Sequence, residues 1–260
     1  MASSTSTSTV MPTVMPTVMR PRFTPWRALL CSALLAGFAC SNSSSDARAA
    51  SPGAAVQLSG CNGIMPLGDS ITLGVNGGYR NDLHTGLQQN NCGVSYVGTL
   101  SDPNTRVAGK QHEGHVGLTI GDIAGRVDAW LAATQPNFIL LMIGTNDTAW
   151  FTNEDGAEIG ARHSALIDKL RAARPEAWIL VASIPPQAAR LIHGKGDGAP
   201  ENKLTDRAAL TQQFNAAVRH NVEARAAAGQ RVRFVDVNQA LTTADLFDGI
   251  HPTEGAHARI

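Results

Sequence analysis

The sequence predicts one α/β domain, a parallel sheet of about five strands with helices on both faces. Three observations carry this. Short, nearly continuous apolar runs, Phe138 to Ile143 and Trp178 to Ala182 the clearest, have the length and character of strands buried on both sides. Between such runs lie stretches whose apolar residues recur three and four apart, as on a helix packed against a sheet. The two kinds alternate along the chain. With 260 residues, 43% hydrophobic and 16% charged, the chain can build one sizeable core but not two large domains.

The front of the chain stands outside this pattern. Met1 to Val18 is a low-complexity Ser/Thr/Val/Met/Pro stretch in which Met-Pro-Thr-Val recurs, and Met19 offers a second start. Arg20, Arg22 and Arg27 then precede an apolar run, Ala28 to Ala39, that is short for a membrane span. Residues 1–40 therefore read as an export signal. The run ends Gly37-Phe38-Ala39-Cys40, similar to a bacterial lipoprotein signal, which makes Cys40 a candidate for lipid attachment. Gly37 departs from the bulky aliphatic residue usual at that place, and cleavage after Ala49 or Ala50 is the plain secretory alternative. Residues 41–58, rich in Ser, Ala and Gly, form a flexible tether, and residues 59–260 the folded domain.

Within the domain the elements follow in order. Ile64 to Leu67 is the first strand, Gly68 serves a sharp turn at its end, and Ser70 falls where a helix can begin. Leu83 and Leu87 mark a helix over Tyr79 to Gln89, and Val94 to Val97 a short second strand. Ile123, Val127, Trp130 and Leu131 share one face of a helix over Asp122 to Ala133. The strand Phe138 to Ile143 follows, then a helical stripe of Ile159, His163, Leu166, Ile167 and Leu170. The strand Trp178 to Ala182, a helix through residues 205–228 and the strand Val232 to Val237 complete the series. Residues 187–206, with three glycines and mixed charges, break the rhythm and read as a long loop at one edge of the sheet.

The whole chain is formally neutral, and residues 1–40 hold three arginines and no acid, so the remainder carries a balance of −3. No basic stripe interleaved with aromatics points to nucleic acid. No Cys/His cluster has zinc spacing, and nothing calls for a cofactor. Cys61 and Cys92 each precede a predicted parallel strand, which brings both to one end of the sheet. In an exported chain this favours a disulfide over two buried thiols.

The chemistry-bearing residues fall where strands end, at the sheet edge where ligands bind in open α/β folds. Ser70 follows the first strand in Gly68-Asp69-Ser70, Gly117 ends the loop His112-Glu113-Gly114-His115-Val116-Gly117 between the second strand and the next helix, Asn146 follows a strand in Gly144-Thr145-Asn146-Asp147, and Asp248 and His251 lie in Asp248-Gly249-Ile250-His251-Pro252. Taken singly, each has a plain reading as a cap, a turn or a surface histidine. Together they meet the needs of acyl transfer. Ser70 needs a base, which His251 supplies, and His251 needs a carboxylate to fix its tautomer, which Asp248 supplies. The oxyanion needs donors, and the Ser70 and Gly117 N–H groups with the Asn146 amide make three. Activity is expected to rise through about pH 6–7, where an imidazole loses its proton.

These four blocks resemble those of the GDSL/SGNH hydrolase superfamily over about residues 61–260. The resemblance implies a flavodoxin-like three-layer α/β/α sandwich with a five-stranded parallel sheet. It implies Ser70, Asp248 and His251 as the triad, with Ser70, Gly117 and Asn146 as the oxyanion hole. Position 72 is Thr, so Ser70 does not lie in the Gly-x-Ser-x-Gly elbow of α/β-hydrolases. Met65-Pro66-Leu67-Gly68-Asp69-Ser70-Ile71-Thr72, Gly77-Gly78-Tyr79-Arg80, His112-Glu113-Gly114-His115 and Met142 to Asp147 are further similar to carbohydrate esterases that include acetyl xylan esterases. This implies a metal-free serine esterase acting on acetylated polysaccharide or another small ester, with His112 and His115 either meeting sugar hydroxyls, supporting Gly117 or serving structure alone. The alternatives are a lipid or thioester hydrolase of the same fold and a non-catalytic polysaccharide-binding protein. The family's helix after the histidine is expected to be clipped here or the chain to be a fragment, since the sequence stops nine residues past His251. The sequence leaves the polysaccharide and the oligomeric state open.

Overall fold

The computed structural model describes residues 60–150, 152–193 and 204–260. The expected export signal, Cys40 and the tether lie outside these residues.

The strand β1 (Cys61–Gly68) is buried from Ile64 onward. It pairs in parallel with β5 (Phe138–Met142), Ile64 opposite Phe138 and Gly68 opposite Met142. Beyond β5 come β6 (Trp178–Ala182) and β9 (Val232–Val235), again parallel. On its other side β1 meets two short strands in succession. β2 (Val94–Tyr96) pairs with its first half, and β4 (Gln111–Gly114) with Leu67 and Gly68. β3 (Leu100–Ser101) runs antiparallel along β4 at the edge. The sheet has seven strands, yet its parallel part is five positions wide, because β2 and β4 share one position.

The helices α1 (Ser70–Leu73), α2 (Arg80–Gln89), α3 (Ile120–Thr134), α4 (Thr145–Ala149), α5 (Gly156–Ala173) and α6 (Arg207–Ala227) follow the strands. One further turn, α7 (Glu254–His257), lies after the last block. Local chemistry marks most of their starts. Asp69, Thr119, Asp155 and Asp206 each accept a first-turn N–H, and Asp122 and Glu158 complete capping boxes with Thr119 and Asp155. The predicted stripes are the buried ones: Ile123, Val127 and Leu131 on α3, Ile159, Leu166, Ile167 and Leu170 on α5. His163, in the α5 stripe, packs its ring edge against Phe214, and burial pushes its pKa down to about 3. Helices α3, α5 and α6 pack on one another as one layer. Leu140, Leu180 and Ala182, alternating with the fully buried Ile139, Ile179 and Val181, turn to the other face, where Tyr79 and Leu83 lie.

Three expectations are corrected. Residues 187–206 are not one loop: β7 (Leu191–His193) and β8 (Leu204–Asp206) pair antiparallel with Leu191 opposite Asp206. The His112 run is strand β4 rather than a loop. Both were hidden because these strands, unlike the equally short β2 and β9, hold no Val, Phe or Tyr, and they exist through their partners. Gly68 is required for close packing rather than for a turn: its φ is ordinary, but a Cβ there would overlap the Met142 carbonyl oxygen. The disulfide expectation matches the structure. Cys61 and Cys92 are bonded, with Cα atoms 5.5 Å apart.

Candidate active site

The carboxyl ends of β4, β1 and β5 lie side by side, and each opens into a loop or helix that carries one predicted residue. At the end of β1, Asp69 turns back to accept the Ile71 N–H at 2.9 Å, which starts α1 at Ser70. As the first residue of that helix, Ser70 has a backbone N–H with no partner inside the helix. The other end of α1 is held by the buried Arg80, whose Nη2 donates to the Leu73 carbonyl at 3.0 Å and to Asp102 Oδ2 at 3.1 Å.

Ser70 Oγ lies 2.8 Å from His251 Nε2, and His251 Nδ1 lies 2.7 Å from Asp248 Oδ2. A carboxylate only accepts, so Nδ1 carries the proton and Nε2 presents a lone pair to the Ser70 hydroxyl. The other Asp248 oxygen accepts the Ile250 N–H at 2.9 Å and the His251 N–H at 2.8 Å. Partial burial alone would raise the Asp248 pKa. The His251 backbone and side chain and the Ile250 amide outweigh it and hold Asp248 below the usual carboxylate range, hence ionised.

The segment that carries this pair is a tight two-stranded turn. Leu246 bridges Pro252, and the Phe247 N–H donates to the His251 carbonyl at 3.0 Å. Leu246 and Pro252 turn inward, while Phe247 and His251 stand side by side facing solvent, rings stacked at 5.7 Å and 19°. Gly249 sits inside the turn at φ +82°, strained for any residue with a Cβ. Its carbonyl accepts the Ala188 N–H at 2.8 Å and Arg207 Nη2 at 3.3 Å, and Arg207 Nε donates to the Ala188 carbonyl at 2.9 Å.

Asn146 and Gly117 come together through the loop between them. Asn146 Nδ2 donates to the Leu118 carbonyl at 2.9 Å, and Trp150 Nε1 donates to Asn146 Oδ1 at 3.2 Å. One partner can only accept and the other can only donate, so the amide has one orientation, with its second N–H unused by these contacts. Gly117 has φ +78°, and the neighbouring His115 N–H donates to the Gly68 carbonyl at 2.9 Å, which seats this loop beside the start of α1. Asp147 locks the loop further: its carboxylate accepts the Ile120 N–H at 3.0 Å and Arg162 Nη2 at 2.9 Å, and Arg162 also pairs with Glu154. Burial raises the Asp147 pKa, opposed by the Ile120 amide and Arg162. Gly117, Asn146, Trp150, Glu154 and Arg162 line a cleft of about 540 Å³.

His112 is buried and its Nδ1 accepts the Gly114 N–H at 3.0 Å, so it supports the strand before Gly117. Burial and the Arg80 charge push it down to about 4. His115 is paired with Glu113 Oε2 at 2.8 Å and stacked on Trp130 at 4.3 Å. Among the described residues, no group of three or more His, Cys, Asp or Glu is placed to hold a metal ion. None of their helices is long and apolar enough to cross a membrane.

The structure thus joins Ser70, His251 and Asp248 in one relay, and Asn146 holds the carbonyl of Leu118, the residue after Gly117. Sequence reasoning did not assign Arg162, Trp150, Arg207 or Phe247. Arg162 and Arg207 are not the only arginines in α5 and α6, and their partners lie from 8 to 42 residues away in the chain, beyond the reach of a local pattern.

Residues 67–259 match the profile of the GDSL-like Lipase/Acylhydrolase family. A multidomain esterase of Ruminococcus flavefaciens is 29% identical over 225 residues, which covers 76% of this chain and 27% of that protein. The chain therefore spans 27% of the length of that curated relative. A family 3 carbohydrate esterase of Clostridium thermocellum has a TM-score of 0.59 at 29% identity, covering 76% of this chain and 90% of that one. A family 3 carbohydrate esterase from Talaromyces cellulolyticus has a TM-score of 0.60 at 25% identity, covering 75% and 90%.

Proposed function

Since the chain belongs to the GDSL-like lipase/acylhydrolase family, we propose that it is a serine esterase that removes short acyl groups, acetyl above all, from polysaccharides such as acetylated xylan. The observation that carries this is the continuous relay from Ser70 Oγ through His251 to Asp248, at 2.8 and 2.7 Å. The carbohydrate and acetyl esterases among its relatives support the choice of substrate.

In this reading Ser70 Oγ attacks the ester carbonyl while His251 Nε2 takes its proton, and Asp248 stabilises the imidazolium. The oxyanion is held by the Ser70 and Gly117 N–H groups and the second N–H of Asn146. The bond to the alcohol breaks, and His251 gives the proton to the leaving oxygen. Water, deprotonated by the same histidine, then releases the acid from Ser70. The protein acts outside the cytoplasm, sent there by residues 1–40, with Cys40 the lipid-attachment candidate. The Cys61–Cys92 disulfide suits an oxidising compartment.

The test is acetate release from acetylated xylan by the protein and its Ser70→Ala variant. Release is expected to fall at least about 10⁴-fold in the variant. Equal release by both proteins overturns the serine mechanism. A cleft beside the Gly117 loop, lined partly by Leu73, Leu100, Val116 and Leu118, favours a second reading in which a longer acyl chain is the substrate. Rates that rise from two-carbon to eight-carbon esters select that reading, and rates that fall select acetyl.

A further inference from the structure

The chemistry at Ser70 dictates where the two parts of an ester lie. The oxyanion turns toward Gly117 and Asn146. The leaving oxygen must come within hydrogen-bond reach of His251 Nε2, which protonates it. The alcohol portion therefore lies over His251. The surface offered there is Phe247, 63% exposed, with its ring stacked on the imidazole.

Nothing in the relay requires an apolar ring at this place. Asp248 already fixes the imidazole through a 2.7 Å side-chain bond, and Gly249 anchors the turn through Ala188 and Arg207. Trp150, a second exposed aromatic among the described residues, differs in that its indole N–H is committed to Asn146. Phe247 has no polar handle, and the backbone pairing across the turn holds it in water beside the reacting atoms.

We propose that Phe247 is the platform for the alcohol portion of the ester and that it stacks on the C–H face of a neutral pyranose. This rests on the esterase reading above. Such a ring carries C–H bonds on its face and hydroxyls at its rim, so stacking takes apolar surface out of water on both partners and leaves the hydroxyls wet. Asp248, next in the chain and ionised, disfavours a sugar acid at the same place. When Ser70 forms its ester and the bond to the alcohol breaks, the proton on His251 passes to a leaving oxygen already aligned by the stacked ring.

The experiment measures binding and turnover separately. Xylotriose, a neutral sugar without ester, is titrated calorimetrically into the Ser70→Ala protein with and without Phe247→Ala. The dissociation constant is expected to rise about five- to tenfold with Phe247→Ala, as for loss of one aromatic contact, and to recover in Phe247→Trp. In the active protein, kcat/KM on acetylated xylotriose is expected to fall about five- to tenfold further than on ethyl acetate, mainly through KM. Ethyl acetate has an alcohol too small to cover the ring, so it reports any disturbance of His251. Equal falls on both esters, or a dissociation constant unmoved by Phe247→Ala, overturn the platform. Absence of hydrolysis of either ester by the unaltered protein overturns the esterase reading instead, while the calorimetry still tests the stacking.

Discussion

Asp69 starts the helix that presents Ser70, and the cost of placing it there is electrostatic. It is fully buried, and burial lifts its pKa from the usual 3.8 to about 6, against the pull of the Ile71 amide, the Thr145 hydroxyl and His251. The folded protein therefore binds this proton more tightly than the unfolded chain. Stability from this group is greatest at low pH and is lost as pH rises from about 4 to about 6. Asp69→Asn keeps an oxygen for the Ile71 N–H and removes the buried charge. It is expected to stabilise the protein at pH 8 by about 2 kcal/mol relative to its effect at pH 4. Urea unfolding at both pH values checks this, and an equal effect at the two contradicts it. Ser70, Gly117, Asn146, Asp248 and His251 stood out in the sequence because acyl transfer needs such groups and because their blocks, in this order, resemble those of the GDSL/SGNH hydrolases. The burial of Asp69 was not, since an aspartate before a helix reads as an ordinary exposed cap.

The turn that holds His251 depends on another element for its position. Arg207, the first residue of α6, joins the Gly249 and Ala188 carbonyls with one guanidinium, and the Ala188 N–H meets the same Gly249 oxygen. Arg207→Met takes the guanidinium donor from the Ala188 carbonyl, leaves the Gly249 carbonyl with the Ala188 N–H alone, and loosens the turn. We expect kcat on a short ester to fall about tenfold with a smaller change in KM, as for loss of hydrogen bonds from a charged donor. Arg207→Lys restores part of the loss, because an ammonium is a point donor that does not reproduce the guanidinium fork. An unchanged kcat in a folded Arg207→Met protein refutes the brace. At this scale the long strands β5 and β6 and the helices α3, α5 and α6 were readable from period and length. The short strands β3, β4, β7 and β8 were not: unlike the equally short β2 and β9 they hold no Val, Phe or Tyr to mark them, and they are strands by virtue of the backbone beside them.

Over the whole molecule, one covalent link ties the first strand of the sheet to the chain leading into β2. The Cys61–Cys92 bond closes a loop of 31 residues in sequence separation. Chain entropy alone assigns such a link about 3–4 kcal/mol, so replacing both cysteines by alanine is expected to lower unfolding free energy by about that much. Denaturant unfolding of the two proteins measures it, and a difference below about 1 kcal/mol shows that the unfolded chain is already compact there. The parallel α/β architecture, the order of the four blocks and the pairing of the two cysteines could be read from the sequence alone. Each rests on short-range pattern or on residue types that one chemistry requires. Tertiary structure decided that Gly68 is there for packing and that β2 and β4 divide one side of β1. It also decided that Arg162 and Arg207 brace the loops and that Phe247 stands beside His251. These depend on which distant backbones come within a few ångströms of one another, and no local pattern records such distances.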